Sequence, residues 1–226
     1  MNKLLVKFPT RNRPDKFKEI FGVYSKYLDD NYETRFVITC DSDDESMNNP
    51  EMIDWFKRQQ INLESRGHSL IYHYGNSKTK IQACNANLEG ESADVLMLAS
   101  DDMWPQIRGY NRVILDGMKE CFPDGDGAIK FNDGLRTDIL MTLAVMGWKL
   151  YERFGYIYHP DYTSVYPDTE QTAVCHYSGR LAVSDIIICK HQWTSQAFDE
   201  LHGRNENQAM YHKDGEVYRR RMQNRF

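Results

Sequence analysis

The sequence lacks the long apolar runs of a membrane protein and the closely spaced cysteines of a disulfide-stabilised one. It also lacks the excess of positive charge that is typical of nucleic-acid-binding proteins. No hydrophobic run approaches the roughly 20 residues that span a bilayer, and no signal-peptide pattern opens the chain. The 5 cysteines are scattered without CxxC spacing, which favours reduced thiols over disulfides or structural zinc. A formal net charge of −5 gives no general attraction to nucleic acid or anionic membranes. We therefore expect a cytoplasmic protein without a transmembrane segment.

Glycine is missing from the turn after the first predicted strand. This short apolar strand, Leu4–Phe8, runs into the segment PTRNRP, and a helical pattern begins at Pro14. Dinucleotide-binding and P-loop motifs need glycine in such a turn for close approach of the backbone to phosphate, so neither is expected. Arg11 and Arg13 could instead bind a nucleotide or diphosphate through their planar guanidinium groups. The alternative is two ordinary surface arginines.

Apolar strand patterns alternate with helical patterns along the 226 residues, and they predict one α/β domain. We expect a mixed central sheet flanked by helices in a Rossmann-like arrangement, followed by a helical C-terminal extension at 194–226. The predicted strands are Leu4–Phe8, Arg35–Cys40, Ser69–Tyr74, Val95–Leu98, Ala128–Phe131 and Ile186–Lys190. The predicted helices are Pro14–Leu28, Pro50–Gln60, Asn76–Leu88, Gln106–Phe122, Gly147–Phe154, Pro167–Tyr177 and Ser195–Phe226.

The segment Ala93–Pro105, ADVLMLASDDMWP, combines a buried strand with two adjacent acids. Its apolar residues end shortly before Asp101 and Asp102, as expected at the carboxyl end of a central strand. Open α/β sheets bind their ligands at that end. Two carboxylates there suit a hard divalent cation, Mg²⁺ or Mn²⁺, that holds a substrate phosphate. A solvated acidic turn is the alternative.

Three further charged positions precede this segment and could contact the same ligand. Asp41 follows the second strand, where acids commonly bind the hydroxyls or base of a nucleotide; a solvated loop is the alternative. Lys78 and Lys80 lie in the first turn of a predicted helix, where cations oppose the helix dipole. A bound anion would remove that conflict, although exposed lysines are also tolerated there.

The second half of the chain offers two acids and a histidine. Asp168 and Glu170 open a predicted helix, where capping and dipole effects alone would account for both. His191 follows a predicted strand and is either a ligand or a packed polar residue. The arginines at 219–221 are typical of a solvated helix face, with a phosphate-binding patch as the alternative.

Taken in order, these segments resemble those of GT-A-fold glycosyltransferases of the family 2 type. The resemblance rests on PTRNRP after the first strand, an acid after the second, and SDDMWP after the central strand, which is similar to a DxD-type metal motif. A helix of the form N…K…A-N precedes the central strand. Farther on, YERFGYIYHPDYTSVYPDTE resembles the acceptor-side segment, and His191 matches a C-terminal metal-binding histidine. The chain departs from the D-x-D-D form of the family at Ala99.

The resemblance implies a metal-dependent, inverting glycosyltransferase that moves a sugar from a nucleotide-diphosphate donor, UDP-linked, to an acceptor hydroxyl. Residues 1–104 would bind the nucleotide-sugar and 105–193 the acceptor. The implied donor-binding residues are Pro9, Thr10, Arg11, Arg13, Asp41, Lys78, Lys80 and Asp101. The implied ligands of Mn²⁺ or Mg²⁺ are Asp101, Asp102 and His191. Asp168 would be the general base, with Glu170 as the second candidate.

Two other functions stay open at this point. A sugar nucleotidyltransferase shares the α/β architecture, but it is expected to carry a glycine-rich loop after the first strand, which PTRNRP lacks. A non-catalytic carbohydrate- or nucleotide-binding module on the same scaffold would not need the acids and the histidine. The acceptor hydroxyl could belong to a glycan, a protein or a modified nucleobase.

Overall fold

The computed structural model describes residues 1–192, 203 and 205–226. In that part of the chain, the strands are β1 Lys3–Pro9, β2 Glu33–Asp41, β3 Ser69–Gly75, β4 Val95–Leu98, β5 Met103–Pro105, β6 Ala128–Phe131, β7 Val145–Gly147, β8 Leu181–Ser184 and β9 Cys189–His191. The helices are α1 Pro14–Lys26, α2 Pro50–Glu64, α3 Lys80–Asn85, α4 Tyr110–Cys121, α5 Trp148–Phe154, α6 Pro167–Tyr177 and α7 Gln208–Gln223. None of these helices combines the length and apolarity that crossing a bilayer requires.

The central sheet is mixed, which confirms the predicted α/β architecture. Its strand order is β3-β2-β1-β4-β7-β6-β8. The first four of these strands are parallel, with β1 between β2 and β4. β7 runs antiparallel to both of its neighbours, whereas β8 pairs parallel with β6. The loops that follow β1, β2, β3 and β4 therefore leave the same edge of the sheet, where α/β proteins place their ligand sites.

Both faces of this sheet are buried, and β1 shows how. Leu4, Val6 and Phe8 belong to a cluster shared with α1, α2 and α4, whereas Leu5 belongs to a second cluster shared with α3, α5 and α6. Phe8 meets Phe17 of α1 edge to face, with the ring centroids 5.1 Å apart. A strand covered on both faces is mostly apolar along its length, whereas a half-exposed strand alternates apolar and polar residues. The short apolar runs of the sequence therefore indicate central strands of a sheet.

The helix after β3 is shorter than the pattern over Asn76–Leu88 predicts. Thr79 caps α3, because its hydroxyl accepts a hydrogen bond from the Gln82 amide at 3.1 Å. The helix ends at Asn85, and Asn87 adopts a φ of 62°. Lys78 therefore precedes the helix, and only Lys80 lies in its first turn.

The C-terminal part of the chain differs most from the predicted elements. The predicted strand Ile186–Lys190 is realised as β9, which pairs antiparallel with β5 in a separate two-stranded sheet. The edge strand β8 was not predicted. Of the predicted helix Ser195–Phe226, the segment 208–223 forms α7, and residues 193–202 and 204 lie outside the described residues.

Candidate functional site

A cleft with a volume of about 980 Å³ opens at the edge of the sheet where β1, β2 and β4 end. Every predicted site residue except Glu170 lines it. These residues are Pro9, Thr10, Arg11, Arg13, Asp41, Lys78, Lys80, Asp101, Asp102, Asp168 and His191. The parallel register explains most of this convergence, because Pro9 lies beside Thr39 and Lys7 beside Leu98. Asp168 and His191 come from segments far along the chain.

On the first wall of the cleft, the turn after β1 is tied to the loop after β2. The Arg11 guanidinium donates to the Asp41 carboxylate at 2.7 Å and to Asp43 at 2.6 Å. Hydrogen bonds to Asp43 and then Asp41 raise the pKa of Arg11 above its ordinary value. The second oxygen of Asp41 accepts from the Ser77 amide at 3.1 Å. Asp41 is thus held in place from two directions.

Deeper in the cleft, Arg13 and Asp101 form an almost buried ion pair. One guanidinium nitrogen of Arg13 lies 2.7 Å from Asp101 Oδ1. Burial raises the pKa of Asp101 above the ordinary aspartate value, and the nearby charge of Arg13 opposes that rise. Asp101 therefore faces a cation of the protein itself.

Asp102 faces His191 across the short sheet of β5 and β9. The register places Met103 opposite His191, and the Gln192 amide donates to the Asp102 carbonyl at 2.8 Å. As a result, His191 Nε2 lies 3.5 Å from Asp102 Oδ2. The Ser100 hydroxyl donates to the other carboxylate oxygen of Asp102.

The predicted three-ligand set is not gathered into one cluster. Among the described residues, no three His, Cys, Asp or Glu side chains are grouped as they would be to hold a metal ion. Asp101 is engaged by Arg13, which leaves Asp102 and His191 as the adjacent pair. Their oxygen and imidazole donors suit Mn²⁺, and Mg²⁺ often takes only one or two carboxylates together with substrate phosphates. The pair therefore fits a cation that is held jointly with a diphosphate.

Asp168 lines the same cleft from the first turn of α6. The helix is preceded by Tyr166 in the left-handed region with a φ of 69°, so Asp168 is not the capping residue. Among the described residues, its carboxylate accepts hydrogen bonds from its neighbour Thr169 alone, from the amide at 2.8 Å and from the hydroxyl. Burial raises the pKa of Asp168, opposed by the bonds from Thr169 and by the charge of Lys80.

Glu170, in contrast, lies outside the cleft and is fully engaged. It is 4% exposed. The Tyr162 hydroxyl and Arg221 Nε both donate to its Oε2 at 2.7 Å, and a second Arg221 nitrogen donates to Oε1 at 2.9 Å. Arg221, one of the arginines at 219–221, therefore forms an ion pair within the protein.

Lys80 reaches the C-terminal part of the chain across the cleft. Its ammonium donates to Glu206 at 3.2 Å. Desolvation is the largest single effect and lowers the pKa of Lys80, but the nearby Glu206, Cys84 and Asp102 together outweigh it, so the pKa lies above its ordinary value. Glu206 is a cleft residue that the sequence did not reveal.

Asp133 is a second acid of the cleft that the sequence patterns do not single out. It is buried, and its carboxylate accepts from the Arg136 and Leu135 amides at 2.8 and 2.9 Å and from the Thr142 hydroxyl at 2.8 Å. Burial opposes ionisation, but these bonds outweigh it and lower the pKa of Asp133. The backbone carbonyl of Asp133 accepts from the His191 amide at 2.9 Å. Asp133 therefore fixes the loop beside His191.

Comparison with solved structures identifies the fold. The mannosyltransferase PcManGT from Pyrobaculum calidifontis, in complex with GDP-Man and Mn²⁺, matches 86% of this chain with a TM-score of 0.63 at 16% identity. TarS 1–349 from S. aureus matches 84% with a TM-score of 0.62 at 14% identity. The apo-form glycosyltransferase GlyE from Streptococcus pneumoniae TIGR4 matches 97% with a TM-score of 0.57 at 9% identity.

These matches confirm that the chain has the fold of a GT-A-type glycosyltransferase. The aligned part spans 58%, 60% and 64% of those three proteins, less than two thirds of each. No protein-family model matches the sequence, and no curated protein matches it significantly.

Replacing Lys80 by methionine should raise the pKa of Asp168. The lysine charge favours the ionised carboxylate, so its removal makes the proton harder to lose. Carboxyl-carbon NMR titration of the ligand-free protein measures this pKa directly. Lys78→Met is the matched control, and it should leave the Asp168 titration unchanged. An identical Asp168 titration in wild type and Lys80→Met would show that the two residues do not interact.

Proposed function

We propose that this chain is a metal-dependent, inverting glycosyltransferase that transfers a sugar from a UDP-linked donor to an acceptor hydroxyl. The observation that carries the proposal is the convergence in one cleft of a cation-lined wall, the Asp102–His191 pair and the partly buried Asp168. Charge stabilisation of a departing diphosphate and proton removal from an acceptor need those three parts. The fold match supports the same chemistry.

The donor site is proposed on the wall built by the loops after β1, β2 and β3. An ionised Asp41 can only accept hydrogen bonds, which suits the N–H of uracil or the ribose hydroxyls. Arg11, Arg13 and Lys80 supply positive charge for the diphosphate, and arginine does so with a planar pair of donors. TarS 1–349 has been solved in complex with UDP-GlcNAc, which supports a UDP-sugar for this chain.

Asp102 and His191 would hold Mn²⁺ or Mg²⁺ beside the diphosphate. When bound, the cation neutralises the charge that develops on the leaving group. Arg13 lies on the same side of the cleft through its bond to Asp101, and it would contribute to that neutralisation. The Mn²⁺ in the PcManGT complex supports a divalent cation here.

Asp168 is the proposed general base. Its carboxylate would take the proton of the acceptor hydroxyl while that oxygen attacks the anomeric carbon from the side opposite the diphosphate, which inverts the configuration. A raised pKa brings a carboxylate closer to the working pH and makes it a better base. Glu170 is not assigned this role, because Tyr162 and Arg221 occupy both of its oxygens outside the cleft.

The function is tested by assaying UDP-, GDP- and dTDP-sugars for hydrolysis and transfer with Mn²⁺ present. We expect turnover of a UDP-sugar in preference to the other nucleotides. Calorimetric titration with UDP, in the presence and absence of Mn²⁺, runs in parallel. Nucleotide binding with no turnover of any donor would instead identify a non-catalytic binding module.

Asp102→Ala should remove the Mn²⁺-dependent part of the affinity for UDP. Replacing a residue that only hydrogen-bonds to a metal ligand already costs about 10- to 100-fold in metal affinity, so loss of a proposed ligand should cost at least that much. Calorimetry with and without Mn²⁺ measures the effect. Asp116→Ala, an exposed acid outside the cleft, is the control and should behave as wild type. Undiminished Mn²⁺ enhancement in Asp102→Ala would exclude Asp102 from the metal site.

Asp168→Asn should lower turnover by roughly 10²- to 10⁴-fold, the usual contribution of a general base. Its affinity for UDP should not change, because the residue is proposed to act on the acceptor. Steady-state kinetics and calorimetry on the same preparation separate the two quantities. A turnover close to that of wild type would mean that another group removes the proton.

A further inference from the structure

The C-terminal helix α7 carries a fully buried carboxylate on an otherwise exposed or half-buried helix. Asp214 is 0% exposed and is the only residue of α7 that is buried. Its two oxygens accept four hydrogen bonds from backbone amides: two from Thr163 at 3.1 Å, one from Ser164 at 2.7 Å and one from Val165 at 2.9 Å. In the part of the chain that the structure describes, the hydrogen bonds of this side chain all come from the main chain of three consecutive residues.

Those three residues line the cleft and lead directly to the proposed base. Val165 precedes Tyr166, whose left-handed backbone turns the chain into α6, and Asp168 follows in the first turn. Amides 163–165 lie outside any helix or strand, so their donors need an acceptor from elsewhere in the protein. Asp214 supplies it, and it thereby fixes the direction in which the chain enters the turn.

A second contact from α7 holds the other side of Asp168. Glu170 lies two residues after Asp168, and two nitrogens of Arg221 donate hydrogen bonds to its carboxylate. Between these anchors, the Tyr166 ring stacks on Tyr218 with the centroids 5.8 Å apart, and it meets Tyr211 edge on at 6.0 Å. The base is therefore flanked on both sides by contacts that one helix provides.

We propose that Asp214 is a positioning residue of the transfer reaction, which holds residues 163–166 so that Asp168 points at the acceptor hydroxyl. This inference rests on the proposed function of the cleft. Asp214 would touch neither donor nor acceptor. Its hydrogen bonds go to residues 163–165 and not to the loops after β1 and β2, so we expect its main effect on the step in which Asp168 takes part.

The test compares three variants of the full chain. Asp214→Leu keeps the branched shape of the side chain, with bulkier methyl groups, and removes both oxygens, whereas the isosteric Asp214→Asn keeps one acceptor oxygen and tests for partial rescue. Glu216→Gln changes an exposed acid on the same helix and is the matched control. Each variant is measured for kcat and KM with the UDP-sugar found active, for UDP affinity, for thermal stability and for amide hydrogen exchange of residues 163–168.

We expect kcat of Asp214→Leu to fall by about 10- to 100-fold, the cost of a small misplacement of a reacting group. UDP affinity should stay at the wild-type value, exchange should rise at 163–168, and Asp214→Asn should lie between wild type and leucine. Glu216→Gln should match wild type. An unchanged kcat, or a parallel loss of UDP affinity and thermal stability in both Asp214 variants, would overturn the positioning role.

Failure of the proposed function would be visible separately. It would appear as a wild-type protein that turns over no sugar nucleotide. In that case, the exchange data alone decide whether Asp214 orders residues 163–168, with unchanged exchange in Asp214→Leu refuting it.

Discussion

The pairing of β5 with β9 is the contact on which the cleft depends. These two strands of three residues each join the segment after the central strand to one that lies far along the chain. The pairing places the imidazole of His191 3.5 Å from Asp102 at the edge where the parallel strands end. If β5 and β9 did not pair, Asp101 and Asp102 would face the cleft with no histidine beside them. A short antiparallel ladder thus brings together the two residues of the proposed cation site.

Three cations of the cleft are each paired with an acid of the protein. Arg11 is paired with Asp41 and Asp43, Arg13 with Asp101, and Lys80 with Glu206. A diphosphate entering the cleft would compete with these acids for the same cations. Removing one partner of a partly buried ion pair is costly, because the other charge is left without compensation. We therefore expect donor binding to exchange the partners of these cations, which stay charged. A cation held by Asp102 and His191 would add positive charge beside the phosphates.

The sequence alone reveals residues that follow strands better than residues brought in by distant contacts. Arg11, Asp41 and Asp102 each come shortly after a predicted strand, where α/β proteins bind ligands, and the family resemblance brings them together in one site. The β5–β9 pairing, the role of Glu206 and the burial of Asp133 depend on contacts between distant segments, which no local period encodes. Glu170 shows the limit most plainly: two residues from Asp168 in sequence, it is held by Arg221 from α7 instead of facing the cleft.

The central claim is that one diphosphate lies between the cations of the first wall and the Asp102–His191 pair. A crystal structure with UDP and Mn²⁺ tests it most directly, with anomalous diffraction used to locate the manganese. We expect a manganese peak within coordination distance of Asp102, His191 and the diphosphate, with the uridine beside Asp41. A UDP bound elsewhere, or a manganese peak away from both protein ligands, would contradict it.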